Sequence, residues 1–185
     1  MKVSIQTLGS LGDVMPYITT ALALMAGGAE VTLMAPLEYS ETIAAYGVTP
    51  AKAPAFSLTA WNAEAERRGT LSDPVRFFRD WNEMVVPYVA DITAHCLEAA
   101  RGADIILGNS ICAPARVAAE AYAIPYILNA QQPAISPTRE FPCALMWRPW
   151  HGTAFNRAGY LTVNLAQRLM LEALKAFEAG PLKER

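Results

Sequence analysis

Histidine, cysteine and charge are all scarce in this chain. Among 185 residues there are two histidines and three cysteines, Cys96, Cys112 and Cys143, with no CxxC pair. The spacing excludes a zinc knuckle and a disulfide framework, so the expectation is free thiols in a reducing cytoplasm, with no metal. Charged residues make up 17%, against about 25% in ordinary globular chains, and the formal net charge is −2. Such a balance carries no electrostatic footprint for nucleic acid or for an anionic membrane. The most apolar long window, residues 17–36, is broken by Gly27, Gly28 and Glu30 and is unsuited to spanning a bilayer; peripheral membrane contact stays open. The start lacks the charged region, long apolar core and cleavage site of a secretory signal. Two nucleotide signatures are missing as well. The glycines near the first turn are spaced GxxG rather than GxGxxG, and there is no P-loop lysine. The second apolar run ends Met34-Ala35-Pro36, with Glu38 only beyond the proline, so the ribose-binding acid of an NAD site is absent.

What the chain does have is apolar material, at 53%, and a regular rhythm. Residues 3–8, 30–36, 103–110 and 124–130 read as buried strands, with a short one near 49–52. Helices are predicted over 14–26, with Pro16 in the first turn, and over 39–46 and the stretch after Ser110. Alternating strands and helices predict an α/β fold, a Rossmann-like parallel sheet with helices on both faces. Between residues 55 and 100 the rhythm gives way to an expected helical insertion, split at Pro87. Trp61, Phe77, Phe78, Trp81 and Tyr88 crowd it, as core or as the lining of an apolar pocket. A Pro-rich loop with Trp147 and Trp150 follows over 131–152, then a helix over about 153–179. No internal repeat or low-complexity segment is visible.

The chemistry concentrates in "LGSLGDVMPY", residues 8–17. A helix N-terminus after a glycine turn is an anion site, yet this one carries Asp13. One reading makes Asp13 the helix N-cap, accepting the N–H of Met15. The other places its carboxylate at the carboxyl end of the first strand, where open α/β sheets bind ligands and where it can take a proton from a hydroxyl. A carboxylate has two oxygens, so both can hold. Ser10 and Gly12 of the same turn join it as substrate-side candidates. Asn109 and Ser110 follow the third clear strand, and Gln131 and Gln132 the next; each rims the same end of the sheet, with a turn or cap role as the alternative. His95 sits on a predicted helix where packing or exposure is expected, whereas His151 in the aromatic loop is a site candidate. No Ser/His/Asp or paired-carboxylate arrangement is legible.

The stretch "GSLGDVMPYITTALALMAGGAEVTLMAP" resembles the opening of the family 28 glycosyltransferases, in the branch of sterol glucosyltransferases and of glycopeptide and macrolide enzymes. Relatives there read GSRGDVQP; Leu11 replaces their arginine and Met15 their glutamine. "SPTREFP" (136–142) is similar to a PTRAFP loop of sterol-type members, and "GTAFNRAGYLTVNLAQRLMLEAL" (152–174) to their GGAYNR helix. The resemblance implies the N-terminal, acceptor-binding half of a GT-B architecture over residues 1–185. It implies that the donor half is supplied in the same or a separate chain, with "AGPLKER" falling about where a linker is expected. It implies an inverting, metal-free transfer from a UDP- or TDP-sugar, a co-substrate held mainly by the other half, with no further cofactor. The acceptor would be an apolar alcohol such as a sterol, lipid or polyketide. Asp13 would act as base, and Thr138 and Arg139 would contact acceptor or partner domain, a surface ion pair being the alternative for Arg139. Two other functions compete: a stand-alone Rossmann nucleotide-binding module, and a non-catalytic binding subunit.

Overall fold

The computed structural model describes residues 1–70, 74–110, 112–131, 136–142, 153 and 156–161, with the backbone alone at 74, 75, 77 and 78. They fall into two units, Met1–Asn129 and Ala130–Arg185.

In the first unit the predicted apolar runs become strands, but Ile127 and Leu128 of the last run are exposed rather than buried. Strands β1 (Lys2–Gln6), β2 (Glu30–Met34), β3 (Thr49–Pro50), β4 (Ile105–Gly108) and β5 (Tyr126–Leu128) form one sheet in the order β3-β2-β1-β4-β5. Every pairing is parallel, so the carboxyl ends of all five strands lie at one edge. The helices are α1 (Leu11–Ala26), α2 (Ser40–Ala45), α3 (Leu58–Arg68), α4 (Pro74–Met84), α5 (Val86–Ala100) and α6 (Ala113–Tyr122), with a 3-10 turn at Leu37–Tyr39. This is the doubly wound α/β fold that the alternation predicts.

Strand periodicity sorts the core into two layers. Val3 and Ile5 of β1 and Val31 and Leu33 of β2 are buried with Val14, Tyr17, Ile18 and Ala21 of α1 and Ile43 of α2. On the other face, Met34 and Ile106 pack with Ile92, Cys96 and Ala100 of α5 and Ala115, Ala118 and Ala119 of α6. Two polar side chains interrupt that second layer. Gln6 is fully buried and donates from Nε2 to Ser4 Oγ and to the Cys96 carbonyl, both at 3.0 Å, fastening the central strand to α5.

Two expectations need correction. Helix α1 starts at Leu11, three residues before the predicted start, which places Pro16 inside the helix rather than in its first turn. Pro16 has no N–H to give the Gly12 carbonyl one turn back, and the helix continues because Tyr17, Ile18 and Ala21 are held by the sheet. The stretch 55–100 is helical, but it is not all insertion. Burial of Ile92, Cys96 and Ala100 makes α5 the crossover helix that links β3 to β4 across the sheet. Only α3 and α4 stand outside the alternation. The break expected at Pro87 falls at Val85, with Pro87 in the first turn of α5, where its missing N–H costs nothing.

Helices α3 and α4 are joined by charge and by aromatics. Trp61 and Trp81 meet edge to face at 6.4 Å, both packed against the α5 layer. Asp80, fully buried, accepts from Thr70 Oγ1 at 2.5 Å and from Arg79 Nη2 at 2.9 Å. Arg68 links Glu64 at 2.6 Å to Glu83 at 3.0 Å. Hydrogen bonds from Arg67 and then Arg68 pull the Glu64 carboxyl down to about 2.

In the second unit, residues 156–161 are helical. Asn156 Nδ2 donates to the Arg139 carbonyl at 2.9 Å, and Phe141 and Tyr160 meet edge to face at 6.5 Å. The helix expected over 153–179 lies mostly outside the described residues.

Candidate active site

The edge where the parallel strands end is organised around two knots. The first is Asn109, just past β4 and 5% exposed. Its Nδ2 donates to Thr7 Oγ1 at 2.7 Å and to the Leu8 carbonyl at 3.1 Å, and its Oδ1 accepts the Cys112 N–H at 2.8 Å. One side chain thus ties the end of β1 to the end of β4 and starts α6. Its amide is spent on these bonds, so Asn109 braces the strand-end edge. Tyr17 adds β5 to the same knot, its hydroxyl donating to the Asn129 carbonyl at 2.5 Å. Burial, then the nearby Cys112 and Asp13, push that hydroxyl well above the usual phenol range, which keeps it a donor. Beneath lie Cys96 and Cys112, both buried and free, with sulfurs 3.7 Å apart; burial pushes the Cys96 thiol far up.

The second knot is the turn into α1. The N-cap is Ser10, not Asp13, which corrects the capping reading. Asp13 is the third helical residue and reaches back, so that its Oδ2 accepts both the Ser10 N–H and the Ser10 hydroxyl at 2.9 Å. The pattern is a capping box with aspartate in place of the more common glutamate. Asp13 is half-buried, and its other oxygen, Oδ1, has no partner among the described residues. Gly12 is exposed in the first helical turn, and a Cβ there would meet nothing closer than Ser10 Oγ at 3.6 Å. Gly9, which the sequence offers only as a glycine of the tight turn, is different. A Cβ on it would lie 2.4 Å from Asp13 Cβ. The signal was present as a glycine four residues before a carboxylate, but only coordinates reveal a demand for space.

The remaining predicted site residues divide by unit. Asp13, Ser10, Gly12, Asn109 and Ser110 share the strand-end edge of the first unit; Ser110 is half-buried. In the second unit Gln131 and Arg139 are exposed. Thr138 Oγ1 accepts the Glu140 N–H at 3.2 Å, and Arg139 makes no ion pair among the described residues. Gln132 and His151 lie outside the described residues. His95 on α5 faces Asp91 one turn back, with Nδ1 2.8 Å from its carbonyl. Among the described residues no cluster of His, Cys, Asp or Glu could hold a metal ion, and no helix is long and apolar enough to cross a membrane.

Comparison with known proteins converges on one architecture. No family model matches the chain. Glycosyltransferase GtfE of Amycolatopsis orientalis is 32% identical over 141 residues, which is 75% of this chain and 32% of that protein. Sterol 3-beta-glucosyltransferase of Candida albicans is 28% identical over 150 residues, 77% of this chain and 9% of that protein. Among solved structures, the kitacinnamycin glycosyltransferase superposes with a TM-score of 0.55 over 74% of this chain and 31% of that one, at 17% identity. SsfS6 of Streptomyces sp. SF2575 gives 0.51 over 70% and 39%, at 20% identity. These likenesses support the fold of an N-terminal GT-B glycosyltransferase domain. The chain spans about a third of GtfE and about a tenth of the sterol glucosyltransferase.

Proposed function

We propose that this domain is the acceptor-binding half of an inverting glycosyltransferase, with Asp13 as the base on an acceptor hydroxyl. One observation carries the reading: Asp13 sits in the turn after the first strand with Oδ2 held by Ser10 and Oδ1 without a partner among the described residues. In the step proposed, the acceptor oxygen bonds to the anomeric carbon of a nucleotide-linked sugar. The bond from that carbon to the phosphate oxygen breaks, the nucleoside diphosphate leaves with the electron pair, and the acceptor proton passes to Asp13. An aspartate with a reference pKa near 3.9 is a weak base, so proton transfer works best late, once the attacking oxygen has become acidic. Holding both substrates in one cleft supplies much of the rate. An apolar acceptor is favoured by Leu11 and Leu37, which follow β1 and β2 and are 48% and 64% exposed. The UDP- or TDP-sugar belongs to a donor half in the same or a separate chain, and the free buried thiols of Cys96 and Cys112 suit a cytoplasmic setting.

The test is Asp13→Asn in the chain supplied with its donor half. The amide can still accept from Ser10 but cannot take up a proton at neutral pH. Turnover should fall by roughly two to four orders of magnitude, with KM values and melting temperature changing little. Near-normal turnover would reduce Asp13 to a helix cap and end the catalytic reading.

A further inference from the structure

The two glycines of the opening turn do different things. Gly9 does not have a positive φ, so its backbone torsions would suit any residue. What forbids a side chain there is Asp13, whose Cβ, Oδ2 and Cγ lie 2.4, 2.6 and 2.7 Å from where a Gly9 Cβ would stand. Swinging the carboxylate away does not relieve this, because the Cβ of Asp13 is fixed by the helix backbone. Reaching ordinary contact at 3.4 Å requires the first turn of α1 to move by about 1 Å. The carboxylate is thus pressed against the turn that follows β1, in a slot that only glycine leaves open. Within that slot its orientation is set by Ser10, whose N–H and hydroxyl both end on Oδ2. No other described residue competes for Oδ1.

We propose that Gly9 and Ser10 are positioning residues for Asp13: Gly9 provides the slot, and Ser10 takes Oδ2 so that Oδ1 is the oxygen that receives the acceptor proton. The proposal rests on the reading of Asp13 as base. It assigns Ser10, expected from the sequence as a substrate contact, to holding the base instead.

The experiment compares Gly9→Ala, Ser10→Ala, Ser10→Thr and Asp13→Asn, alone and with Asp13→Asn as background, in the chain supplied with its donor half. A displacement of about 1 Å at a reacting group can cost on the order of 100-fold, so Gly9→Ala should lower kcat by that factor. KM for acceptor and donor should stay within about threefold, because only interactions realised in the transition state are lost. Ser10→Ala removes one hydrogen bond to a charged group and should lower kcat by roughly tenfold; Ser10→Thr keeps the hydroxyl and should recover most of that loss. In the Asp13→Asn background neither change should lower kcat further. Amide exchange at Ser10 supplies a readout independent of turnover, since its N–H should lose protection in Gly9→Ala. If Asp13→Asn is crippled while Gly9→Ala and Ser10→Ala keep wild-type kcat, the positioning proposal falls and the base reading stands. If Asp13→Asn itself turns over normally, the base reading falls and this proposal with it. Should Gly9→Ala fail to fold, the Ser10 pair and its non-additivity with Asp13→Asn decide alone.

Discussion

At the scale of single residues, the strand-end edge separates side chains that build from side chains that stay available. Asn109 is the clearest builder: its amide satisfies Thr7, Leu8 and Cys112 at once. Asn109→Ala strands the Thr7 hydroxyl and the Leu8 carbonyl and leaves the Cys112 N–H only its 3.2 Å bond to the residue 109 carbonyl, a stranded buried group costing about 1–3 kcal/mol. The expected loss is about 3 kcal/mol in urea unfolding, with the m-value unchanged. A variant of full stability that had lost only acceptor affinity would return Asn109 to the ligand side. The strand-end rule was enough to bring Asp13, Asn109 and Ser110 to one edge from sequence alone. It could not tell a brace from a ligand contact, because that depends on which neighbour an amide meets across 102 residues. Gly9 was illegible for the same reason, since its role is to be absent where another side chain stands.

At the scale of elements, the register of α1 shows where local signals mislead. Pro16 was read as a first-turn residue because that is where proline is tolerated best, and the true start lay in Ser10 and Asp13, a capping box hidden by its less common acid. Aromatic crowding marked α3 and α4 correctly as an excursion but could not exclude α5, whose apolar face closes the sheet. The two excursion helices depend on Asp80, buried between Thr70, Arg79 and Arg68. The Thr70 hydrogen bond, more than burial opposes it, holds the Asp80 carboxyl below the ordinary range. A carboxyl lowered on folding contributes stability that is complete above the unfolded value near 3.9 and drains as pH falls through the lower folded value. Asp80→Asn should therefore lower the melting temperature by at least about 5 °C at pH 7, and the gap to wild type should close below about pH 4. A gap of the same size at pH 3 and pH 7 would show that shape, not charge, joins these helices.

At the scale of the whole molecule, the proposed function asks which half of the enzyme would hold the nucleotide. A Rossmann-like unit ordinarily offers its first helix N-terminus to phosphate, and α1 has the right place for that at the end of β1. Its first turn, however, already carries the Asp13 carboxylate, whose Oδ2 takes the Ser10 N–H that would otherwise face an anion. No lysine or arginine occurs over residues 7–17, nor at 109–112 after β4. A diphosphate placed here would meet a fixed negative charge without a compensating cation on these two segments. The chain on its own should therefore bind UDP-glucose or TDP-glucose with a Kd weaker than about 1 mM, a binding free energy smaller than about 4 kcal/mol. Calorimetry on the 185-residue chain should show no saturable heat with either nucleotide sugar, and adding the donor half should restore it. Micromolar binding to the chain alone, retained in Asp13→Asn, would place the nucleotide on this sheet and reverse the proposed division of labour between the halves.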